Sequence, residues 1–190
     1  MADGFVLIVR GQLATAGNKT GYPRQGKNGK IHVRMVEGRD KDARARIANW
    51  RADIKAECER VMAGAAPLDG PLIAALTISV RRPGGLPERR RTPAGMVPVR
   101  HYPTTRPDLI KYTRLIEDAV TAGGGWADDA RVIRYRRLAK FYAGDGERYG
   151  EPDVLASPGM VLRCWPVPSA EFLARVLPDM NGRAVQDALL

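Results

Sequence analysis

Ile47, Trp50, Ile54, Cys58 and Val61 recur at spacings of 3, 4, 4 and 3, which places five apolar side chains on one stripe of a 3.6-residue helix. Most of the stability of such a helix comes from packing its stripe, so the chain must supply a partner surface. Arg44, Arg51, Lys55, Glu59 and Arg60 occupy the other faces, and Gly64 and Pro67 close the run. An amphipathic helix is therefore predicted over 39–63. Cys58 lies on the stripe and reads as a small core residue.

Two apolar runs flank this helix. F-V-L-I-V-R at 5–10 and P-L-I-A-A-L-T-I-S-V-R at 71–81 have the length and composition of buried strands. Between the first strand and the helix, residues 11–36 carry Lys19, Arg24, Lys27 and Lys30 and end in K-I-H-V-R-M-V, a long basic hairpin region. A second helix opens near Pro107, with Leu109, Tyr112, Ile116, Ala119 and Val120 as its apolar face, and stops at Gly123-Gly124-Gly125. R-V-I-R-Y-R-R-L-A-K-F-Y at 131–142 reads as a basic strand and M-V-L-R-C-W-P-V at 160–167 as the last one, with a turn-rich stretch at 143–159 between them. Strands before and after helices, without regular alternation, predict an α+β fold: a small mixed β-sheet packed by two main helices. One domain over 1–178 is expected, ending in a short helix at 169–177 capped by Ser169, with 179–190 a loosely held tail.

Residues 82–107 hold six prolines and the run Arg89-Arg90-Arg91. A breaker-rich segment this long is a functional loop or a partly disordered one. The arginines fit a solvated surface run as well as a DNA contact.

The 31 Lys and Arg against 21 Asp and Glu give a net charge of +10, an excess that favours a polyanionic partner, nucleic acid first. No run approaches the ~20 apolar residues of a bilayer span. Phe5–Val9 follows Asp3, where a secretory leader would carry basic residues, so no signal peptide is expected. Cys58 and Cys164 lie far apart and His32 and His101 have no ligand-like spacing, which argues against a disulfide scaffold, structural zinc and histidine-based metal chemistry and makes a reducing cytoplasm the default. Any metal would be held by oxygen.

Carboxylates are then the candidates for chemistry on a polyanion, because magnesium takes oxygen ligands and one to three acids suffice to hold it. Asp108 stands at the opening of the second helix and Asp128-Asp129 at the start of the basic strand, both at element ends where functional groups sit. Each has a plain alternative: Asp108 as a first-turn complement to the helix dipole, Asp128 or Asp129 as a turn residue after the glycines.

The segment Arg106-Pro107-Asp108-Leu109-Ile110-Lys111-Tyr112-Thr113-Arg114-Leu115-Ile116-Glu117-Asp118-Ala119-Val120, followed by Gly125-Trp126-Ala127-Asp128-Asp129-Ala130-Arg131-Val132-Ile133, resembles the signature of the RusA family of Holliday junction resolvases. That family reads P-D-x-D-[NK]-x-x-[KR]-x-x-x-D-A-L and then W-x-D-D-x-x-V. Two linked motifs at the right separation are more specific than a lone short pattern. The resemblance implies a homodimer, of a kind frequent in phages and prophages, acting in the host cytoplasm. Such a homodimer binds four-way DNA junctions and nicks two strands symmetrically with magnesium. It implies catalytic and metal-binding roles for Asp108, Asp129 and Asp128. Arg114 falls where the family has a catalytic Lys or Arg, suited to offsetting charge on the attacked phosphate. Asp118 matches the aspartate of D-A-L.

One position departs. Where the family has its second metal-binding aspartate, this chain has Ile110. Asp118 and Glu117 do not replace it beside Asp108, since ten residues of helix rise about 15 Å. The implied cluster is therefore Asp108, Asp128 and Asp129. A junction-binding protein of the same fold with impaired catalysis is the alternative, and a basic RNA-binding or protein-interaction domain with structural acids is a third reading.

The candidate DNA contacts are Lys111, Arg131, Arg134, Arg136, Lys140, Arg89, Arg90 and Arg91. Strict alternation along 131–142 would put Arg134, Arg136 and Lys140 on one face and Arg131 and Arg137 on the other. Aromatic residues are 6% of the chain, so backbone and shape recognition is expected over base stacking. The segments 19–34 and 81–91 would embrace DNA arms.

Overall fold

A computed structural model describes residues 4–15, 19–37 and 40–168. The expected terminal helix at 169–177 and the tail at 179–190 lie outside the described residues.

The expected α+β architecture is present. A four-stranded mixed sheet in the order β1-β8-β4-β7 is built from β1 (Phe5–Arg10), β4 (Leu72–Val80), β7 (Val132–Tyr142) and β8 (Gly159–Pro166). β8 runs antiparallel to both of its neighbours and β7 parallel to β4, so β1, β4 and β7 all point the same way. The central strand β4 is the continuous apolar run, buried on both faces. The edge strand β1 alternates strictly, Phe5, Leu7 and Val9 inward and Val6, Ile8 and Arg10 outward.

Two helices cover one face. α1 (Lys41–Met62) begins at Asp40, whose side chain accepts a hydrogen bond from Ala43 N at 2.7 Å, satisfying an otherwise orphaned donor. It buries Ile47, Trp50, Ile54 and Cys58, four of the five stripe residues. α2 (Leu109–Ala122) crosses beside it and buries Tyr112, Leu115, Ile116, Ala119 and Val120. Leu7, Leu76, Ile78, Met160 and Leu162 close the core from the sheet, each fully buried aliphatic side chain contributing about 1.5–3 kcal/mol. The Cys58 thiol touches Val120 O at the helix–helix contact, and burial pushes its pKa up to about 11. It is an inert core group, as expected.

The chain leaves α2 through close packing. A side chain on Gly125 would place its Cβ 2.6 Å from Val120 and 2.8 Å from the Cys58 sulfur, so only glycine fits there. Trp126 follows, buried, donating from its indole to Thr121 Oγ1 at 2.7 Å. Backbone bonds between Leu68 and both Gly125 and Ala127 tie this turn to the segment before β4.

The basic hairpin region folds as β2 (Lys19–Gln25) paired antiparallel with β3 (Ile31–Glu37). Ile31, Val33 and Met35 form an exposed apolar row on one side. The long segment 82–107 departs from the expected irregular loop, because β5 (Arg89–Thr92) and β6 (Gly95–Pro98) form a second hairpin within it. Three consecutive arginines followed by Thr92 give β5 no apolar alternation to reveal a strand, while Gly95, at φ 112°, permits the tight turn. Its far end is clamped to the open face of the sheet. The Arg100 guanidinium sits 4.8–5.7 Å from the rings of Tyr102, Tyr149 and Phe141 and pairs with Glu151, which also accepts from Arg137 at 2.7 Å. The turn-rich 143–159 stretch contains a five-residue helix, α3 (Asp145–Tyr149).

Candidate nuclease site

The candidate acids lie toward the two ends of the seam between α2 and β7, and the candidate cations are spread over several surfaces. β7 does not alternate as expected. Its register against β4 skips Ile133 and Arg136, two bulges that each shift the side-chain phase by one. Val132, Tyr135, Leu138 and Lys140 therefore pair with the core-facing residues of β4, whereas Arg134 and Arg137 pair with residues of the open face. Arg136 also lies on the open side, its guanidinium 6.0 Å from the Trp165 ring. The predicted grouping of Lys140 with Arg134 and Arg136 is thus corrected: Lys140 shares the helix side with Tyr135, and the arginines are on the far side.

Asp108 precedes α2 in extended conformation, and its side chain makes no capping bond. It stands at the N-cap position, where its charge complements the helix dipole without a side-chain bond. The carboxylate is 63% exposed, with Lys111 Nζ at 3.7 Å. Lys140 reaches across from β7 and donates to Thr105 O at 3.0 Å and Pro107 O at 2.9 Å, fastening the segment that carries Asp108. Burial lowers the Lys140 pKa, and the Asp108 charge opposes that shift. Ile110 stands on the first turn, 65% exposed.

The second locus lies at the other end of the seam. Asp128 caps a short 3-10 turn at Asp129–Arg131, accepting from Ala130 N at 2.8 Å. The backbone oxygen of Asp129 accepts from Val132 N, while its exposed side chain has no hydrogen bond or ion pair among the described residues. Its neighbours are Glu117 of α2 and Tyr135 of β7, whose hydroxyl donates to Glu117 at 2.7 Å. Burial raises the Glu117 pKa above its ordinary value; Tyr135 opposes the rise, Asp129 and Asp118 add to it, and Arg114 counters them. Asp118 itself is 3.5 Å from Arg51 of α1. Arg114 is exposed on α2, close enough to Glu117 for its charge to be felt there.

Asp108 and Asp129 do not meet within one chain. From Asp108 to Glu117, the helical neighbour of Asp129, is nine residues, about 14 Å of rise. Among the described residues no group of three His, Cys, Asp or Glu side chains could hold a metal ion. The implied magnesium set of Asp108, Asp128 and Asp129 therefore does not fit a single ion in one chain. The carboxylate that does stand beside Asp129 is Glu117, which spacing from Asp108 had set aside. Only the crossing of α2 over β7 brings it there.

The other cations are placed diversely. Arg131 is held by Asp69 at 2.8 Å. Arg89 donates to Met96 O across its own hairpin, and Arg90 and Arg91 are exposed beside it. Lys111 is near Asp108 on α2. No helix among the described residues is long and apolar enough to cross a membrane.

Compared with known proteins, the chain matches the family model for endodeoxyribonuclease RusA over residues 19–148, from β2 into α3. No curated protein matches it.

Proposed function

The chain belongs to the RusA family of endodeoxyribonucleases, the family of Holliday junction resolvases, and on that premise we propose that it acts as a homodimer on four-way DNA junctions. It nicks two strands in a paired, magnesium-dependent reaction, and serves phage or prophage recombination in the cytoplasm of a bacterial host. The observation that carries this reading is the α2–β7 seam. The two linked motifs leave the carboxylates of Asp108 and Asp129 exposed at the two ends of that seam, and Arg114 is exposed on the helix that joins them.

A two-fold protein matches a two-fold junction, so each subunit presents one seam to one strand. Arg114 binds a non-bridging phosphate oxygen and offsets the charge that grows there as the phosphodiester is attacked. Lys111 screens Asp108 from the same phosphate. Asp128 holds the 3-10 turn, and with it the direction of Asp129. Because the three aspartates of one chain do not converge on one ion, no step is assigned to magnesium. The exposed arginines of β5 and the open-face Arg134 and Arg136 contact the phosphates of the arms, a sequence-independent and salt-dependent contribution.

The test is cleavage of a labelled four-way junction against a linear duplex, with magnesium and with EDTA. Paired nicks confined to the junction and lost in EDTA are expected. Nicking of both substrates alike would sink the reading. A second reading, junction binding with lapsed catalysis, is favoured by Ile110, which sets an exposed apolar side chain beside Asp108 where the family pattern has an acid. Its outcome in the same assay is tight junction binding without nicks.

A further inference from the structure

β1, β4 and β7 run parallel to one another, so their carboxyl ends, at Arg10, Val80 and Tyr142, lie at the same edge of the sheet. There they meet the segment leading into α2 and the Ser157-Pro158 turn before β8, and enclose a cleft of about 890 Å³. This is within the size of clefts that hold nucleotide-sized ligands, roughly 300–1,000 Å³. The cleft adjoins the segment that Lys140 fastens before Asp108.

Its lining combines two chemistries. Leu13, Val80, Pro83 and Pro107 give it apolar walls, over a floor of the buried Pro103, Tyr112 and Tyr142. Arg10, Arg81, Arg106 and Lys140 also line it, and none of its described lining residues is acidic. Arg10, Arg81 and Arg106 are exposed and have no ion pair among the described residues. Lys140 already donates to Thr105 O and Pro107 O and feels the Asp108 charge, whereas the three arginines have no acid beside them in the lining and repel one another, an arrangement that an anion relieves. A duplex backbone alone would satisfy the cations but leave the apolar walls facing water. A nucleotide satisfies both, since it joins a phosphate to a planar base. Gln12, Ser157 and the Tyr112 hydroxyl supply donors and acceptors for a base edge.

We propose that this cleft receives one unstacked nucleotide from the exchange point of a DNA junction, its base against the apolar walls and its phosphates on the arginine rim. The proposal rests on the junction-binding reading and adds to it a subsite for a base. Continuous stacking stops where strands exchange, so withdrawing a base there costs less than withdrawing it from a linear duplex. Polar groups inside the cleft then discriminate between bases at that position, which phosphate contacts do not.

The test uses the full chain and junctions carrying 2-aminopurine either at the exchange point or well inside an arm. Binding is expected to raise the fluorescence of the exchange-point probe about threefold or more, with little change inside the arm. Ser157→Trp places a large side chain at the exposed rim of the cleft, away from the core. It is expected to abolish the fluorescence rise while junction affinity falls less than about tenfold. Arg106→Ala, at an exposed position, is expected to weaken junction binding and lower the salt slope by about 1. A bound junction with no fluorescence rise in the unsubstituted protein overturns the cleft proposal and leaves junction recognition standing. A rise that persists unchanged in both variants overturns it as well, because the base then unstacks elsewhere. Equal affinity for junction and linear duplex overturns the underlying reading instead.

Discussion

Tyr135 of β7 donates its phenolic hydrogen bond to Glu117 of α2 at 2.7 Å, and the exposed Asp129 adds its charge to the same spot. This contact locks helix to strand and places a half-buried carboxyl beside the second motif aspartate. Glu117 therefore titrates as a structural group whose environment reports on Asp129.

That coupling has a signed pH consequence. Burial, with the nearby acids, raises the folded-state pKa of Glu117 above the ordinary 4.5. The folded state thus holds the proton more tightly than the unfolded chain, and stability falls as pH rises from about 4.5 through the folded value. Glu117→Gln keeps an acceptor for Tyr135 and removes the titration. The variant is expected to melt higher than the unsubstituted protein at neutral pH, with the difference shrinking to nothing in acid. Thermal melts of both proteins across pH check this, and a difference independent of pH would refute it.

Asp129→Asn separates chemistry from binding. Cleavage is expected to fall by about 100-fold or more, while junction affinity holds or improves, since one negative charge leaves a phosphate-facing surface. The same change removes a repulsion on Glu117, so its pKa should move down. NMR titration of the Glu117 carboxyl reads the second effect without reference to activity.

Ile110→Asp costs no core packing, because the side chain is 65% exposed. On the resolvase reading, cleavage already present rises by about tenfold or less, consistent with a site that works without this acid. On the lapsed-catalysis reading it appears from nothing. Initial rates on the four-way junction, with and without the substitution, divide the two.

Gly125→Ala would force a Cβ to within 2.8 Å of both Val120 and the Cys58 sulfur. Overpacking of this kind is expected to cost about 2–3 kcal/mol, read as a lower urea midpoint at unchanged slope.

Arginines on the two hairpin-side surfaces should behave oppositely. Arg90→Ala, on the exposed β5, is expected to weaken junction binding and reduce the log-affinity salt slope by about 1, with the melting temperature unchanged. Arg137→Ala removes a guanidinium bonded to Glu151 and stacked 5.2 Å from Phe141. It is expected to lower the melting temperature and leave the salt slope alone. Salt-titrated binding isotherms and melts on both variants check the contrast.

Local order was legible in the residues themselves. The stripe from Ile47 to Val61, the apolar run that became β4 and the glycines after α2 act over a few residues, through helix period, burial and the absence of a Cβ. The sequence alone therefore determined the main elements, the α+β class and the two aspartate loci at element ends. The five-residue α3 and the β5–β6 hairpin were not legible, because neither carries an apolar period of its own.

Which groups meet was decided by tertiary structure alone. Two bulges in β7 turned Lys140 toward the helices and left Arg134 and Arg136 on the opposite face, which no alternation rule on 131–142 reveals. The crossing of α2 over β7 set Glu117 beside Asp129 and left Asp108 nine residues of chain from Glu117. Contacts between residues distant in sequence depend on register and crossing geometry, which are fixed by how the whole core packs rather than by the spacing of any one motif.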